Sequence, residues 1–253
     1  MSSQPANLDG PADRAVSGAA MAALFESMWP WPLRLASWAT AARRGSVSLD
    51  DAALQVGFIS ALDLGPLIVG SQCVLGLLAE PGQPPQIPLQ ADTVAAAMAA
   101  GGLALAVGSR TTVLVRTPAD VLAPTDIGPS LIPPADSLGT VERNLLAAVG
   151  EATELISSLA LTRPDDGAAE TLRLLPRLLD AAPMPPDSSG RARVLRDRAA
   201  VLIVGVDQAL QPHLAAVSSG LDAQRRGVLL RARAAGRAAL AAAANEAGYR
   251  QLP

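Results

Sequence analysis

The sequence predicts a mainly α-helical fold, a helical bundle with one short β-hairpin near residues 103–116, and three observations carry that prediction. Half of the residues are hydrophobic and roughly a fifth are alanine, the side chain that costs a helix least. Aromatic residues make up only 2%, too few for the bulky surfaces by which sheets usually stack into a sandwich. From residue 138 onward, apolar positions recur at helical spacing, with glycine and proline between the runs.

Residues 1–12, with Pro5, Gly10 and Pro11, read as a flexible tail. Residues 13–116 read as an apolar, helical N-terminal half. Its first helix, from Asp13 to about Arg44, places Met21, Leu24, Phe25 and Met28 on one face and is broken at Trp29-Pro30-Trp31-Pro32, where two prolines stop the hydrogen-bond ladder. Ser48-Leu49-Asp50-Asp51 looks like a capping box and opens a helix expected to run to about Asp63. Gly65-Pro66 then punctuates the chain.

Two apolar segments follow on either side of a link rich in proline, residues 81–88. Between Leu64 and Ser109 the only ionisable charges are Glu80 and Asp92. A buried helical hairpin is the expectation, with contact to lipid as the alternative, since neither segment reaches the roughly 20 apolar residues of a spanning helix. Leu103–Val107 and Thr111–Arg116, joined by Gly108-Ser109-Arg110, form the β-hairpin. Residues 117–137, with five prolines, read as an extended connector between two halves. Residues 138–250 then form a C-terminal helical bundle, with helices expected at 138–161, 168–182, 191–218 and 221–247 and breaks at Gly220 and Gly248.

The chemical inventory is narrow. All 20 basic residues are arginine, which excludes a P-loop, a pyridoxal Schiff base and a protein-kinase site, each of which needs a lysine. Cys73 is the only cysteine and His213 the only histidine, so one chain lacks the ligands for a structural zinc site and the pair for a disulfide. His213 follows Pro212 and does not share a helical face with Asp207. Asp50-Asp51 and Asp165-Asp166 stand where aspartate caps helix starts, and Cys73 reads as a small core residue within an apolar helix. No catalytic residue, cofactor site or metal site emerges. Expected is a cytoplasmic protein without enzymatic activity, for the N-terminus lacks the basic, apolar pattern of a secretory signal. Arginine without lysine, and so much alanine, points to a bacterial genome of high GC content.

Charge is segregated. From Ser189 onward ten arginines face four carboxylates, a net +6, in a chain whose total is −3. Arg226, Arg233 and Arg237 recur at spacings of seven and four and share a helix face. Trp29, Trp31 and Trp38, all the tryptophans of the protein, lie within ten residues of one another and beside Phe25 and Met28. These eight residues are the candidate interface. The expected function is that of a helical scaffold that docks a protein partner or self-associates. Attachment at an anionic lipid or membrane surface is the alternative, through indole rings that combine an apolar body with one N–H donor. Nucleic acid is disfavoured, because no aromatic residues interleave with the arginines. A small-molecule binder or enzyme built on carboxylates and arginines is a third reading.

Ser48–Leu64 also resembles the first helix and turn of helix-turn-helix regulators through Ala53, Gly57 and Phe58. The resemblance covers under a tenth of the chain and implies a DNA-binding regulator. The sequence departs from that pattern at Asp63, where the second helix would bury an aliphatic residue, and no arginine lies between Phe58 and Glu80 to meet DNA.

Overall fold

The structure, a computed structural model, describes residues 18–80, 84–85, 87–119, 121–129, 132, 135–158, 166–211 and 219–252. Among them are nine helices and a four-stranded antiparallel sheet, and the structure is 64% helical. The predicted helical predominance stands, but a bundle alone does not describe the molecule. The tail 1–12, His213 and Asp165 lie outside the described residues.

Helices α1 (Gly18–Met28) and α2 (Trp31–Arg43) meet at the tryptophan–proline corner. The break is confined to Trp29 and Pro30, for Pro32 sits in the first turn of α2, where its missing N–H has no intrahelical partner to lose. The helix expected to reach Asp63 ends at Val56 instead. Gly57 takes a left-handed φ of 84° and its N–H closes on the Ala53 carbonyl at 2.9 Å, so α3 spans Leu49–Val56 and a separate α4 spans Ala61–Ile68. Both helices open on the same device. The Asp51 N–H donates to Ser48 Oγ at 3.0 Å, and the Asp63 N–H donates to Ser60 Oγ at 3.2 Å. Gly65-Pro66, expected to punctuate the chain, lies inside α4. The two helices cross at 108°, an angle common to helix-turn-helix pairs. Their solvent face carries Asp50, Asp51, Leu54, Leu62, Asp63 and Val69, acidic and apolar rather than basic.

The expected helical hairpin over 64–109 is the largest correction. Residues Ser71–Leu78 form strand β1, Ala91–Ala99 form helix α5, and Gly102–Gly108 form strand β2. β1 and β2 pair antiparallel, with Leu75 opposite Leu105. The predicted hairpin is present as β2 and β3 (Thr111–Arg116), with Val107 opposite Thr111. The proline-rich stretch 117–137 supplies a fourth strand, β4 (Leu122–Gly128), which pairs with β3 and completes the order β1-β2-β3-β4.

Both faces of the sheet are covered. Val74, Ala104, Ala106 and Leu114 pack on α2, α3 and α4, while Cys73, Leu75, Leu103, Leu105, Val107 and Val113 pack with α5, Tyr249 and Leu252. A strand buried on both sides needs no polar face, so β1 reads as one apolar run without alternation.

Four C-terminal helices follow: α6 (Leu138–Ser158), α7 (Asp166–Ala181), α8 (Gly190–Ala209) and α9 (Ser219–Tyr249). Gly220 and Gly248, read as breaks, both lie within α9. Gly248 serves close packing, for a Cβ there would stand 2.9 Å from Leu75 Cδ2 and 3.3 Å from the Val74 carbonyl oxygen. At 31 residues, α9 is about 46 Å long. It packs on α6 and α8 and also on α2 and β1. One core cluster joins Met28, Trp29 and Leu33 to Leu145, Leu195, Ile203 and Leu240, so residues on either side of 117–137 share it.

α2 is the hinge of this arrangement. Every residue from Trp31 to Ala41 is buried, because the sheet lies on one side of the helix and α9 on another. The outer edge of β1 is closed by side chains from these two helices. Thr40 Oγ1 exchanges hydrogen bonds with the N–H and carbonyl of Val74, both at 3.0 Å. Asn245 does the same for Gly76, accepting from its N–H and donating to its carbonyl at 2.8 Å each. An edge strand is thereby denied to other chains.

Cys73 sits in β1 rather than in a helix and is fully buried. Burial pushes its thiol up to about 11, so very little thiolate forms near neutral pH. Modification by a thiol reagent at pH 8 is expected to wait on unfolding of the chain. Fast stoichiometric labelling without denaturant would show that β1 opens in the native state.

Among the described residues no single helix is long and apolar enough to cross a membrane.

Candidate functional site

The Trp-Pro corner organises a cleft of about 560 Å³. It is bounded by the end of α1, the first half of α2, the end of α3 with its turn, the last residue of β3, and the chain leaving α7. Phe25, Trp29, Trp38 and Phe58 line it, and Trp31 meets Phe58 edge to face at 5.7 Å. Five of the six aromatic side chains of the protein thus gather at one place.

Charged groups are threaded between the rings. Glu26 accepts the Trp31 N–H at 3.0 Å, which satisfies a first-turn donor of α2 and places a carboxylate at the positive end of that helix. The same carboxylate accepts from Arg34 Nη2 at 2.6 Å and lies 3.6 Å from Arg116 Nη1. Arg34 Cζ stands 4.7 Å from the Phe25 ring centre, and Arg116 Cζ 4.6 Å from that of Phe58. Each cation therefore stacks on an aromatic face. Behind the cleft, Arg196 lies over the Trp29 ring, donates to the Ala182 carbonyl at 2.6 Å and pairs with Asp197 at 2.7 Å. Burial pulls the Arg34 guanidinium below its ordinary value; Glu26 opposes that pull and Arg116 adds to it.

Two donors at this corner have no hydrogen-bond partner among the described residues. They are Trp29 Nε1 and Arg34 Nε, on side chains that are 1% and 5% exposed and that both line the cleft. A buried donor without an acceptor is costly, and native structures rarely keep one idle.

A larger cleft of about 960 Å³ lies on the other side, between the end of β1 and helices α6, α8 and α9. Several of its polar groups are engaged with one another or with neighbouring side chains. Glu80 pairs with Arg233 and, at 2.8 Å, with Arg237; Glu246 accepts from Ser189 and Arg250; and Asn245 holds Gly76. Arg233 also reaches Asp207 at 2.7 Å, which accepts from Ser27 at 2.7 Å. These contacts fasten α1, α8 and α9 to β1. Among the described residues, no group of three or more histidine, cysteine, aspartate or glutamate side chains could hold a metal ion.

The eight interface candidates are therefore split. Phe25, Trp29, Trp31 and Trp38 converge at the aromatic cleft, with the three indoles buried, and Met28 lies in the core beside them. Arg226 is exposed, whereas Arg233 and Arg237 are turned inward onto Glu80, so the three arginines do not form one open basic face. Missing from the sequence reading were Glu26, Arg34, and Arg116, together with the role of Phe58. Arg34 did leave a trace, as the one charge in the otherwise uncharged run Trp31–Ala42. Nothing in the spacing could join Arg116 to it. No family model, no curated protein and no solved structure matches this chain.

Proposed function

We propose that this chain is a binding protein that holds a small molecule with an apolar body in the cleft between α1, α2 and the α3 turn. The observation that carries the reading is the convergence of four aromatic side chains, with Glu26 and Arg34 between them, on one concave surface. Its volume, about 560 Å³, falls within the range of ordinary ligand pockets, and apolar walls with a few placed polar groups are the usual composition of such sites. Among the described residues the one carboxylate of the lining, Glu26, is engaged by the Trp31 N–H and Arg34.

Titration with the neutral fluorophore N-phenyl-1-naphthylamine tests the reading. Saturable binding of one probe per chain is expected, weakened about tenfold or more by Phe58→Ala, which removes one wall of the cleft. Weak, unsaturable binding that Phe58→Ala leaves unchanged would count against the cleft, and turnover of a bound compound against a purely binding role.

A second reading, association of two copies, draws on the α3–α4 corner beside the cleft. Leu54, Leu62 and Val69 are 75%, 88% and 79% exposed there, an unusual density for side chains of this size. Sedimentation of the wild type and of Leu62→Glu tests it; a monomer in both rejects it.

A further inference from the structure

Resting on the reading of the α3–α4 corner as a self-association surface, we infer that the partner it meets is the α6–α8 face of a second copy, so that copies join head to tail.

The α3–α4 corner is apolar and negative at once. Asp50 and Leu54 stand about one turn apart on α3, and Leu62 and Asp63 open α4, with Val69 at its C-cap. The Asp51 and Asp63 carboxylates accept only the hydroxyls of Ser48 and Ser60, at 2.7 and 2.6 Å, neutral donors that leave the charge in place. Leu49–Ile68 holds no basic residue, and among the described residues no arginine forms an ion pair with Asp50, Asp51 or Asp63. A surface of this kind fits a partner that is apolar and positive.

The same chain carries such a surface where α6 and α8 lie side by side on α9. Leu146 and Val149 follow Glu142 along one face of α6, and Val194 and Val201 share a face of α8 with Arg191 and Arg198. These four aliphatic side chains are 55%, 37%, 47% and 45% exposed. Arg191 and Arg198 divide a single carboxylate, Glu142, at 2.8 and 3.0 Å. Arg143 forms no ion pair among the described residues, and a Cβ on Gly139 would stand 3.2 Å from Arg191 Nη2 and 3.8 Å from Arg143 Nη1, so the two cations flank that glycine.

Charge also decides the symmetry. Two α3–α4 corners laid together would oppose aspartate to aspartate, and two α6–α8 faces arginine to arginine, whereas the unlike faces attract. Within one copy the corner packs on α2 and β1 and the other face belongs to helices that pack on α9. The contact is therefore heterologous.

Mixing two variants, each blocked on one face, tests the pairing by sedimentation at chain concentrations up to about 0.2 mM. Wild type is expected to associate, and Leu62→Glu and Leu146→Glu each to be monomeric alone; mixed, the two form a heterodimer through the one intact face of each. Should Leu146→Glu fold poorly, Val194→Glu takes its place. Raising the salt from about 0.05 to 0.5 M is expected to weaken the wild-type contact severalfold. Association that Leu146→Glu and Val194→Glu both leave intact would overturn the α6–α8 assignment and spare the α3–α4 corner. Failure of the two monomeric variants to combine, or association that salt leaves unchanged, would overturn it too. A monomeric wild type, or association that Leu62→Glu leaves intact, would instead strike the underlying reading.

Discussion

Gly76→Ala is expected to be among the most damaging single substitutions in this protein, lowering stability by about 3–5 kcal/mol. A Cβ at Gly76 would stand 2.5 Å from the Pro32 carbonyl oxygen, 2.7 Å from its carbon and 2.9 Å from Leu33 Cδ2. Two of those atoms belong to the backbone of α2, which cannot yield as a flexible side chain does. Moving α2 away from β1 disturbs the packing on both sides of that helix, because Leu33 lies in one core cluster and Leu35 in another. For a chain of this length the loss corresponds to a fall in Tm of roughly 10 °C. Asn245→Leu attacks the same place from α9. It keeps the volume but orphans the N–H and carbonyl of Gly76, for an expected cost of about 2–4 kcal/mol. Thermal or urea unfolding measures both, and a Tm within about 2 °C of wild type for either would mean that α2 and α9 do not clasp β1 as described.

The second large effect is expected at Glu80, where the chain leaving β1 meets the basic helix α9. Glu80 is the shared partner of Arg233 and Arg237, and the side chains of the three are 20%, 27% and 14% exposed. Glu80→Gln leaves two largely buried guanidiniums facing each other, with Asp207 and the Ala79 carbonyl as their remaining partners among the described residues. Breaking a fully buried pair costs about 3–5 kcal/mol; solvent screening at this exposure reduces the expectation to about 2 kcal/mol. Replacing Arg237 by leucine in the Glu80→Gln background should recover part of the loss, since one of the two repelling cations is then gone. Strict additivity of the two substitutions would show that they do not interact. Because Asp207 also anchors Ser27, the neighbour of Glu26 in α1, Glu80→Gln is further expected to weaken probe binding in the aromatic cleft severalfold.

Several parts of this architecture were legible before any coordinates. The β2–β3 hairpin announced itself through a three-residue turn and threonine and valine at Thr111–Val115, and the helices after residue 138 through their periodicity. β1 did not, because burial on both faces removed the polar alternation that distinguishes a strand from a helix. β4 was hidden by Pro124 and Asp126, residues that suit an exposed edge strand but read as a connector. The end of α3 at Gly57 could have been drawn from its glycine alone.

For the candidate site, local sequence determined that three indoles and Phe25 would cluster, since one proline-broken corner holds all of them within fourteen residues. It also determined the arginine-only basic chemistry. Only the tertiary structure decided what those rings face. Arg116 comes from the end of a strand and Phe58 from a helical turn, and they reach the corner because β3 is third in the sheet that α2, α3 and α4 cover. The fate of Arg233 and Arg237 was likewise decided in three dimensions. A helix face at regular spacing looks the same in sequence whether it meets solvent or a carboxylate from the other half of the chain. Coulomb attraction to Glu80, in a setting half withdrawn from water, turns that face inward.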